Sequence, residues 1–351
     1  MTNSSELECV ACVAFQEKKM TALMSKKIVG IAPMNRNKMI MSFIAEKTQA
    51  LILPLVGICC FMLLWSFTAS SIDTSLGKFP GPSAVATQVV NLIDEHNAER
   101  NKEDAFYIRQ DQRNEMRLAK DPSYQAKVRA YTGKETFLDQ IVTSVVTVLS
   151  GFLLAAVIAI PLGIAIGLSK NLNTAINPII QIFKPVSPLA WLPLVTMVVS
   201  AVYVSPEPMF AKSFITSLIT VTLCSIWPMV INTSFGVVSM NQDWVNVSKV
   251  LSLPKLVHIQ KIVLPASIPA IFTGMRMSLG IAWMVLIAAE MLAQNPGLGK
   301  FVWDEFQNGS SQSLSRIMTA VFVIGLIGYL LDLAMLQLQR ALSWDKSSAQ
   351  R

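Results

Sequence analysis

The chain has 351 residues, a formal net charge of +7 and a mean hydropathy of +0.49, with 52% apolar and 15% charged residues. This composition excludes an ordinary water-soluble domain and is typical of a protein that crosses a membrane several times. The basic residues are spread along the chain instead of being gathered on one soluble domain. They therefore indicate basic cytoplasmic loops, and nucleic acid is not an expected partner.

Residues 1–49 contain no long apolar run and carry many lysines and arginines. The first apolar segment starts only near residue 50 and is longer than the apolar core of a signal peptide, so a signal peptide is not expected. The basic flank predicts a cytoplasmic N-terminal extension. Residues 50–69 then form the first transmembrane helix, long enough to cross a hydrocarbon core of about 30 Å.

The five cysteines do not form a disulfide framework. Cys9 and Cys12 make a C-x-x-C pair, but no second pair or nearby histidine completes a set of metal ligands. Cys59, Cys60 and Cys224 lie within apolar runs, and we expect them to be small buried apolar residues. The sequence predicts neither a metal site nor a cofactor.

Residues 70–141 are predicted to form a periplasmic loop that carries a charged helical insertion over residues 94–135. Charges of both signs recur there at helical spacing, which is typical of a solvated helical hairpin or of an arm broken near Pro122. Two interpretations stay open. The insertion either contacts a periplasmic binding protein or is simply a solvated insertion.

Residues 142–340 are predicted to form a core of five further membrane spans, ahead of a cytoplasmic tail over residues 341–351. The spans are the apolar runs 142–168, 177–203, 213–238, 271–292 and 317–338. Prolines interrupt the second of these runs, which predicts either a broken or re-entrant section or a simple kink. With the first helix, this makes a multi-pass protein with six spans and both termini in the cytoplasm.

A few polar or small residues within the spans have individual interpretations. Gly163 and Gly167 form a small-xxx-small pair, and we expect it to serve close helix packing within the chain. Arg276 is near the start of its span and is expected to extend towards the membrane surface. Asp332 is expected to pair within the bundle, and Glu290 to have a structural or gating role.

The loop over residues 240–270 joins two of the spans and is polar and basic. Lys249, Lys255 and Lys261 lie in it with no acidic residue between them, so it is predicted to be cytoplasmic. Pro254 disfavours helix at Leu253. The loop should therefore consist of two short helices joined near residues 252–254.

The end of this loop has a specific pattern, because Ile262, Leu264 and Pro265 form I-x-L-P. Counting back along that pattern places its glycine at Ser252. This loop resembles the "EAA" coupling loop of ABC importer permeases, in which the ATPase subunit binds the loop. The motif's Glu-Ala-Ala and Gly are all replaced here. The resemblance identifies these coupling residues: Asn246, Val247, Ser248, Ser252, Ile262, Leu264 and Pro265.

The flanking segments narrow the resemblance. The runs S-I-W-P-M-V-I-N-T and I-F-T-G-M-R-M-S-L-G are similar to the nitrate, sulfonate and bicarbonate group of ABC permeases. Within that group, K-P-V-S-P-L-A-W-L-P (residues 184–193) and N-P-G-L-G-K-F-V-W-D-E-F-Q-N (residues 295–308) are most similar to nitrate permeases. The resemblance covers roughly residues 76–342.

The resemblance implies an all-α polytopic membrane protein of the bacterial inner membrane, with the type I ABC importer permease fold and a cytoplasmic coupling-helix loop. The implied partners are an ABC ATPase subunit, a periplasmic substrate-binding protein, a second copy of the permease and membrane lipid. The chain carries no G-x-x-x-x-G-K-[ST] motif and no hydrolase motif, so ATP hydrolysis is expected on a separate chain and this subunit is not an enzyme.

The predicted cargo is nitrate, with nitrite or cyanate as related substrates, and the preference for nitrate rests on resemblance. Bicarbonate or a sulfonate such as taurine is the alternative, because these anions accept the same hydrogen-bond donors. Asn232, Thr233 and Ser234 give one span a polar face and are the candidate pathway lining. An ATP-independent secondary anion transporter is the rival from another class, but it should show repeats and ionisable groups at the membrane midplane.

Overall fold

The computed structural model describes the backbone of residues 36–74, 77–121, 123–204, 209–310 and 312–342, with side chains from residue 52 onward. The chain forms two compact units, Met1–Thr68 and Ala69–Arg351. The N-terminal segment ahead of residue 36, which includes Cys9 and Cys12, and the tail after residue 342 lie outside the described residues.

The first helix, α1, spans Arg36–Ser71, and its portion Ile52–Ser71 is long and apolar enough to cross a membrane. Most apolar side chains between Ile52 and Phe67 are exposed. Cys59 and Cys60 are also exposed, so the expectation that they are buried is wrong. A uniformly apolar helix has no periodicity that separates a buried face from a lipid-facing one.

The predicted charged insertion is one long helix followed by an extended return segment. A short antiparallel hairpin, β1 (Asp73–Thr74) with β2 (Gly77–Lys78), precedes helix α2 (Pro82–Leu118). Pro82 stands at the first turn of α2, where a missing N–H costs nothing. The described residues from 123 to 136 return alongside α2 without forming a helix, so the insertion is an arm and not a helical hairpin.

Three long helices form the centre of the bundle: α3 (Phe137–Leu168), α6 (Lys212–Val238) and α9 (Leu264–Ala293). A Cβ atom added at Gly163 would lie 2.6 Å from the Cβ of Thr233, and α6 could not then approach so closely. Gly167 is in the same position against Val237. The prediction that this glycine pair serves packing within the chain is confirmed.

The predicted span over residues 177–203 consists of two helices, α4 (Lys170–Phe183) and α5 (Pro188–Val202), which are bent by 99° at their junction. Ser187 caps α5 by accepting a hydrogen bond from the N–H of Leu189 (3.3 Å), and Pro188 occupies the first turn. Of the two open interpretations, the structure shows the broken or re-entrant section and not a simple kink.

The last two helices are α10 (Leu298–Asn308) and α11 (Ser313–Leu342). In the part of the chain that the structure describes, five helices are long and apolar enough to cross a membrane, or six if the bent pair counts as one span. They correspond to the six predicted apolar segments. Helix α9 starts at the coupling loop, and α10 follows the other end of α9. We call the end of the bundle where α9 meets α10 the far end.

The far end also contains the starts of α3 and α11. The ring of Phe301 in α10 contacts that of Phe137 at the start of α3, with centroids 4.7 Å apart. Away from the far end, Arg276 donates from Nε and Nη2 to the two carboxylate oxygens of Asp332, at 2.9 and 2.8 Å, and both side chains stay partly exposed. The predicted pairing of Asp332 is therefore confirmed, and Arg276 is its partner.

Candidate functional site: the coupling loop

The predicted coupling loop, residues 240–270, contains the two short helices that the sequence predicts and ends within the first turns of α9. Helix α7 (Gln242–Val250) begins after Asn241, whose side chain accepts a hydrogen bond from the N–H of Asp243 at 2.9 Å. Helix α8 (Lys255–His258) begins directly after Pro254. The four residues between the two helices include Ser252, where the resemblance places a glycine.

Ser252 has a left-handed backbone conformation, with φ of 47°. The N–H of Ser252 donates to the carbonyl of Lys249 (3.0 Å), and the N–H of Leu253 donates to the carbonyl of Ser248 (3.1 Å). This pair of hydrogen bonds is a Schellman motif, which ends a helix at a left-handed residue that is usually glycine. The geometry therefore explains why the related pattern has glycine at this position.

A π-helix, Ile259–Val263, links α8 to α9 without a break. The N–H of Leu264 donates to the carbonyl of Ile259, five residues back. Pro265 follows immediately. It has no N–H, and in a regular α-helix its ring would crowd the carbonyl of Lys261. The wider turn of the π-helix avoids this steric contact. The coupling loop is thus continuous with the long helix α9.

An apolar groove of about 350 Å³ lies between α7 and the start of α9. Its lining residues are Trp244, Val247, Lys261, Ile262, Pro265 and Ala266. Three of the predicted coupling residues, Val247, Ile262 and Pro265, therefore meet in one groove although up to 18 positions separate them. Trp244 and Val247 remain about half exposed, at 51% and 52%.

The other predicted coupling residues lie around this groove. Asn246 and Ser252 are exposed on the surface of the loop, and Leu264 is 38% exposed at the start of α9. Ser248 is buried, and its Oγ lies 2.7 Å from Nδ1 of His258, which ties the two short helices together.

Sequence reasoning missed two residues of this site, Trp244 and His258. Trp244 had a usable signal, because a large aromatic residue in a polar loop, three positions before Val247, stands on the same helix face. The bond of His258 to Ser248 depends on the turn at Ser252 and could not be derived from spacing. Val250 and Leu251 add exposed apolar surface, at 83% and 62%.

The candidate pathway residues are distributed between two faces of α6. Asn232 is half-buried; its amide donates to the carbonyl of Pro228 (2.8 Å), and its Cβ lies close to Gly274 of α9. Thr233 is fully buried against Gly163 of α3. Ser234 is half-buried, and its carbonyl faces Gly167. The three residues therefore do not share one exposed polar face within this chain.

At the far end, a buried polar cluster fixes the turn between α9 and α10. Glu290 is fully buried, Oγ of Ser144 lies 2.8 Å from each of its carboxylate oxygens, and the N–H of Gly299 donates to Oε2 at 3.0 Å. The N–H of Leu298 donates to Ser144 (2.8 Å). A Cβ at Gly297 would lie 2.2 Å from the Glu290 carboxylate. Glu290 thus has the contacts of a structural anchor.

The chain is a bundle of helices long enough to span a membrane, and a loop of two short helices precedes the central helix α9. This is the architecture of the membrane subunit of a transporter. The family described as "Binding-protein-dependent transport system inner membrane component" matches residues 159–344. The chain belongs to this family.

Curated permeases from three groups are similar to the chain. "Bicarbonate transport system permease protein CmpB" of Synechococcus elongatus is 33% identical over 296 residues, which are 84% of this chain and 90% of that protein. "Nitrate import permease protein NrtB" of Leptolyngbya laminosa is 38% identical over 193 residues, 55% of this chain and 64% of that protein. "Taurine transport system permease protein TauC" of Escherichia coli is 29% identical over 48% of this chain and 56% of that protein.

Among solved structures, a chain of the MetNI methionine ABC transporter in an inward-facing conformation is similar, with a TM-score of 0.51 and 12% sequence identity. The match covers 59% of this chain and 96% of that chain. The fold is therefore the type I ABC importer permease fold with a coupling-helix loop. The chain is a transport subunit and not an enzyme, and it works with an ATPase and a binding protein.

Membership of this family decides against the rival from another class, the ATP-independent secondary transporter. It leaves the anion open within the nitrate, bicarbonate and taurine group.

Proposed function

We propose that this chain is the permease subunit of a nitrate importer in the bacterial inner membrane, with both termini in the cytoplasm. The coupling loop carries the proposal. Both of its short helices have exposed apolar side chains, such as Trp244 of α7 (51% exposed) and Leu256 of α8 (67% exposed). An exposed patch of this kind on a basic loop fits a protein partner. That partner is the ATPase subunit, and it binds the groove between Val247 and Pro265.

The preference for nitrate rests on the relatives. The nitrate permeases of three organisms are 36–38% identical over 193 residues. Bicarbonate is the second candidate, because the bicarbonate permeases align over 83–84% of the chain at 33% identity. If the main cargo is nitrate, nitrite and cyanate are related cargo. Taurine is a further alternative beside bicarbonate.

The proposed mechanism uses the continuity of the coupling loop with α9. When the ATPases close, they move α7 and α8, and the π-helix passes this movement to α9 without a flexible joint. At the far end, Glu290 and Gly299 hold the α9–α10 turn through a hydrogen bond of 3.0 Å. Movement at the loop therefore reaches the far end of the bundle, where the binding protein delivers the anion.

Two copies of the chain enclose the path, and their remaining apolar surface faces lipid. Asn232 is the proposed donor to a passing anion, because it is half-buried on α6 and lies next to α9, the helix that moves. Thr233 and Ser234 extend the same polar segment, but Thr233 contributes mainly to packing against α3. Weak donors suit a path, since tight binding would retain the anion.

Uptake into proteoliposomes that contain the complete transporter tests the anion. We expect ATP-dependent uptake of nitrate, with little uptake of bicarbonate or taurine under the same conditions. Asn232→Leu should lower the maximal rate per inserted molecule with little change in apparent affinity. Transport of bicarbonate or taurine without nitrate would refute the substrate assignment.

A further inference from the structure

The arm formed by the outer part of α2 and its return segment is fixed to the far end of the bundle. Arg316 of α11 donates from Nη1 and Nη2 to both carboxylate oxygens of Glu95 (2.6 and 3.0 Å) and from Nε to Glu305 (2.7 Å). Arg100 of α2 also donates to Asp139 at the start of α3 (3.2 Å). The base of the arm therefore cannot swing independently of the bundle.

The return segment is fixed to α2 in turn. Gln110 is buried, and its side chain bonds both the N–H and the carbonyl of Arg129, at 2.8 and 3.4 Å. The amide of Asn114 donates to the carbonyl of Lys127 (3.2 Å), and the hydroxyl of Tyr131 donates to Glu99 (2.7 Å). These side chains take the place of a second helix, so the arm is a preformed projection and not a loose loop.

The outer half of α2 separates its charges. Arg109, Arg113 and Arg117, which we call the basic stripe, are four residues apart and lie on one face. Asp104, Asp111 and Glu115, which we call the acidic stripe, lie about 200° away around the helix, on the opposite face. Like charges one turn apart on a helix repel each other, whereas opposite charges at that spacing stabilise a solvated helix. The two stripes of α2 therefore do not have the charge arrangement that stabilises a solvated helix.

The basic stripe is exposed and lacks acidic partners. Among the described residues, no carboxylate forms an ion pair with Arg109, Arg113 or Arg117. Nε of Arg109 and Nε of Arg113 instead donate to carbonyls of the same helix. The return segment, which Gln110 and Asn114 hold against α2, carries two further exposed basic side chains, Lys127 and Arg129. The outer part of the arm therefore presents several exposed basic side chains.

The position of this surface selects its partner. Arg100 lies level with the start of α3, and the arm continues for 18 residues to Leu118, which is about 27 Å at 1.5 Å per residue. The arm is at the far end, opposite the coupling loop, so the ATPase cannot reach it. The family is described as binding-protein-dependent, which favours a soluble binding protein as the partner at this end.

We propose that the basic stripe of the arm is a docking surface for the substrate-binding protein, which it contacts through an acidic patch on that protein. The proposal rests on the proposed function only in that a binding protein delivers the anion at the far end. Complementary charge across such an interface chiefly speeds the encounter and fixes the orientation of the two proteins. The arm thus holds the loaded binding protein over the mouth of the bundle.

Charge reversal tests the proposal. The full transporter in nanodiscs is titrated with its own binding protein, for wild type and for the triple variant Arg109→Glu, Arg113→Glu, Arg117→Glu. We expect Kd to rise by at least about tenfold and its dependence on salt to weaken, and in proteoliposomes half-maximal uptake should need at least about tenfold more binding protein. Unchanged binding would refute the docking role.

The matched control reverses the acidic stripe with Asp104→Lys, Asp111→Lys, Glu115→Lys, and it should leave Kd within about twofold of wild type. An equal loss in both variants would show a general charge effect and would overturn the proposal. So would a loss that follows the phosphatidylglycerol content of the nanodisc, because that result would assign the stripe to lipid.

Two further arrangements keep the result decisive. If the reversed variant does not assemble, the neutral variant Arg109→Gln, Arg113→Gln, Arg117→Gln replaces it, with the thermal unfolding of each transporter as the control for folding. Binding is measured with nitrate-loaded and with bicarbonate-loaded binding protein, and uptake of each anion is measured in proteoliposomes. A transporter that carries bicarbonate would refute the substrate assignment and leave the docking result standing.

Discussion

The left-handed turn at Ser252 provides a sharp test of the coupling loop. A left-handed conformation costs an L-residue roughly 1–2 kcal/mol, a cost that glycine avoids. The side chain of Ser252 is exposed, and no hydrogen bond of its hydroxyl is seen among the described residues. Substitutions at this position therefore act on the shape of the backbone and not on side-chain contacts.

The expected series runs from glycine to valine. Ser252→Gly should stabilise the folded turn by up to about 1 kcal/mol. Where the turn is only partly formed, this raises the ratio of binding-competent to unformed loop by about fivefold. Ser252→Val adds a β-branched side chain at a φ of 47° and should weaken the turn by about 1 kcal/mol or more.

The assay is the affinity of the purified permease for its ATPase, together with uptake per inserted molecule. We expect Ser252→Val to weaken binding of the ATPase by about five- to tenfold, with the thermal unfolding of the helix bundle unchanged. Gln260→Val, at an exposed position of the π-helix, is the matched control and should bind the ATPase as wild type does. If Ser252→Val binds the ATPase as tightly as Ser252→Gly, the turn has no part in coupling.

Three further outcomes follow from the packing and from the far end. Gly163→Leu should separate α3 from α6 and destabilise the bundle by about 1–3 kcal/mol, whereas Gly280→Leu should not, because nothing lies within 4 Å of a Cβ there; detergent-solubilised unfolding compares the two. Ser144→Ala should cost about 1–3 kcal/mol, because it removes a donor to a buried carboxylate, and an unchanged unfolding midpoint would contradict this. The hydrogen bond from Arg316 lowers the pKa of Glu95 below its ordinary value of 4.5. A lowered pKa means that this contribution is present above pH 4.5 and is lost as the pH falls through the folded-state value, so proteolysis of the arm should increase in acid in wild type and increase less in Glu95→Gln, which keeps the acid-sensitive pair of Arg100 with Asp139.

Much of the architecture follows from the sequence alone. Apolar runs of bilayer length predict the spans, since a backbone in lipid must satisfy its own hydrogen bonds within a helix. Pro254 predicts the break between the two short helices of the coupling loop, because proline restricts the residue before it. The spacing of Gly163 and Gly167 predicts close helix packing. Each of these is a local rule, and each holds in the structure.

The tertiary structure decided what depends on distant partners. The ion pair of Arg276 with Asp332 joins residues 56 positions apart, and the bond of Ser144 to Glu290 joins residues 146 positions apart. Charge patterning predicted that α2 is helical but not that its return segment is extended, because Gln110 and Asn114 satisfy that backbone only once it lies against them. The prolines of residues 177–203 marked a break, but their spacing did not predict a bend of 99°. Local periodicity shows which residues are apolar. Only the packed chain determines which polar groups form hydrogen bonds and ion pairs with each other.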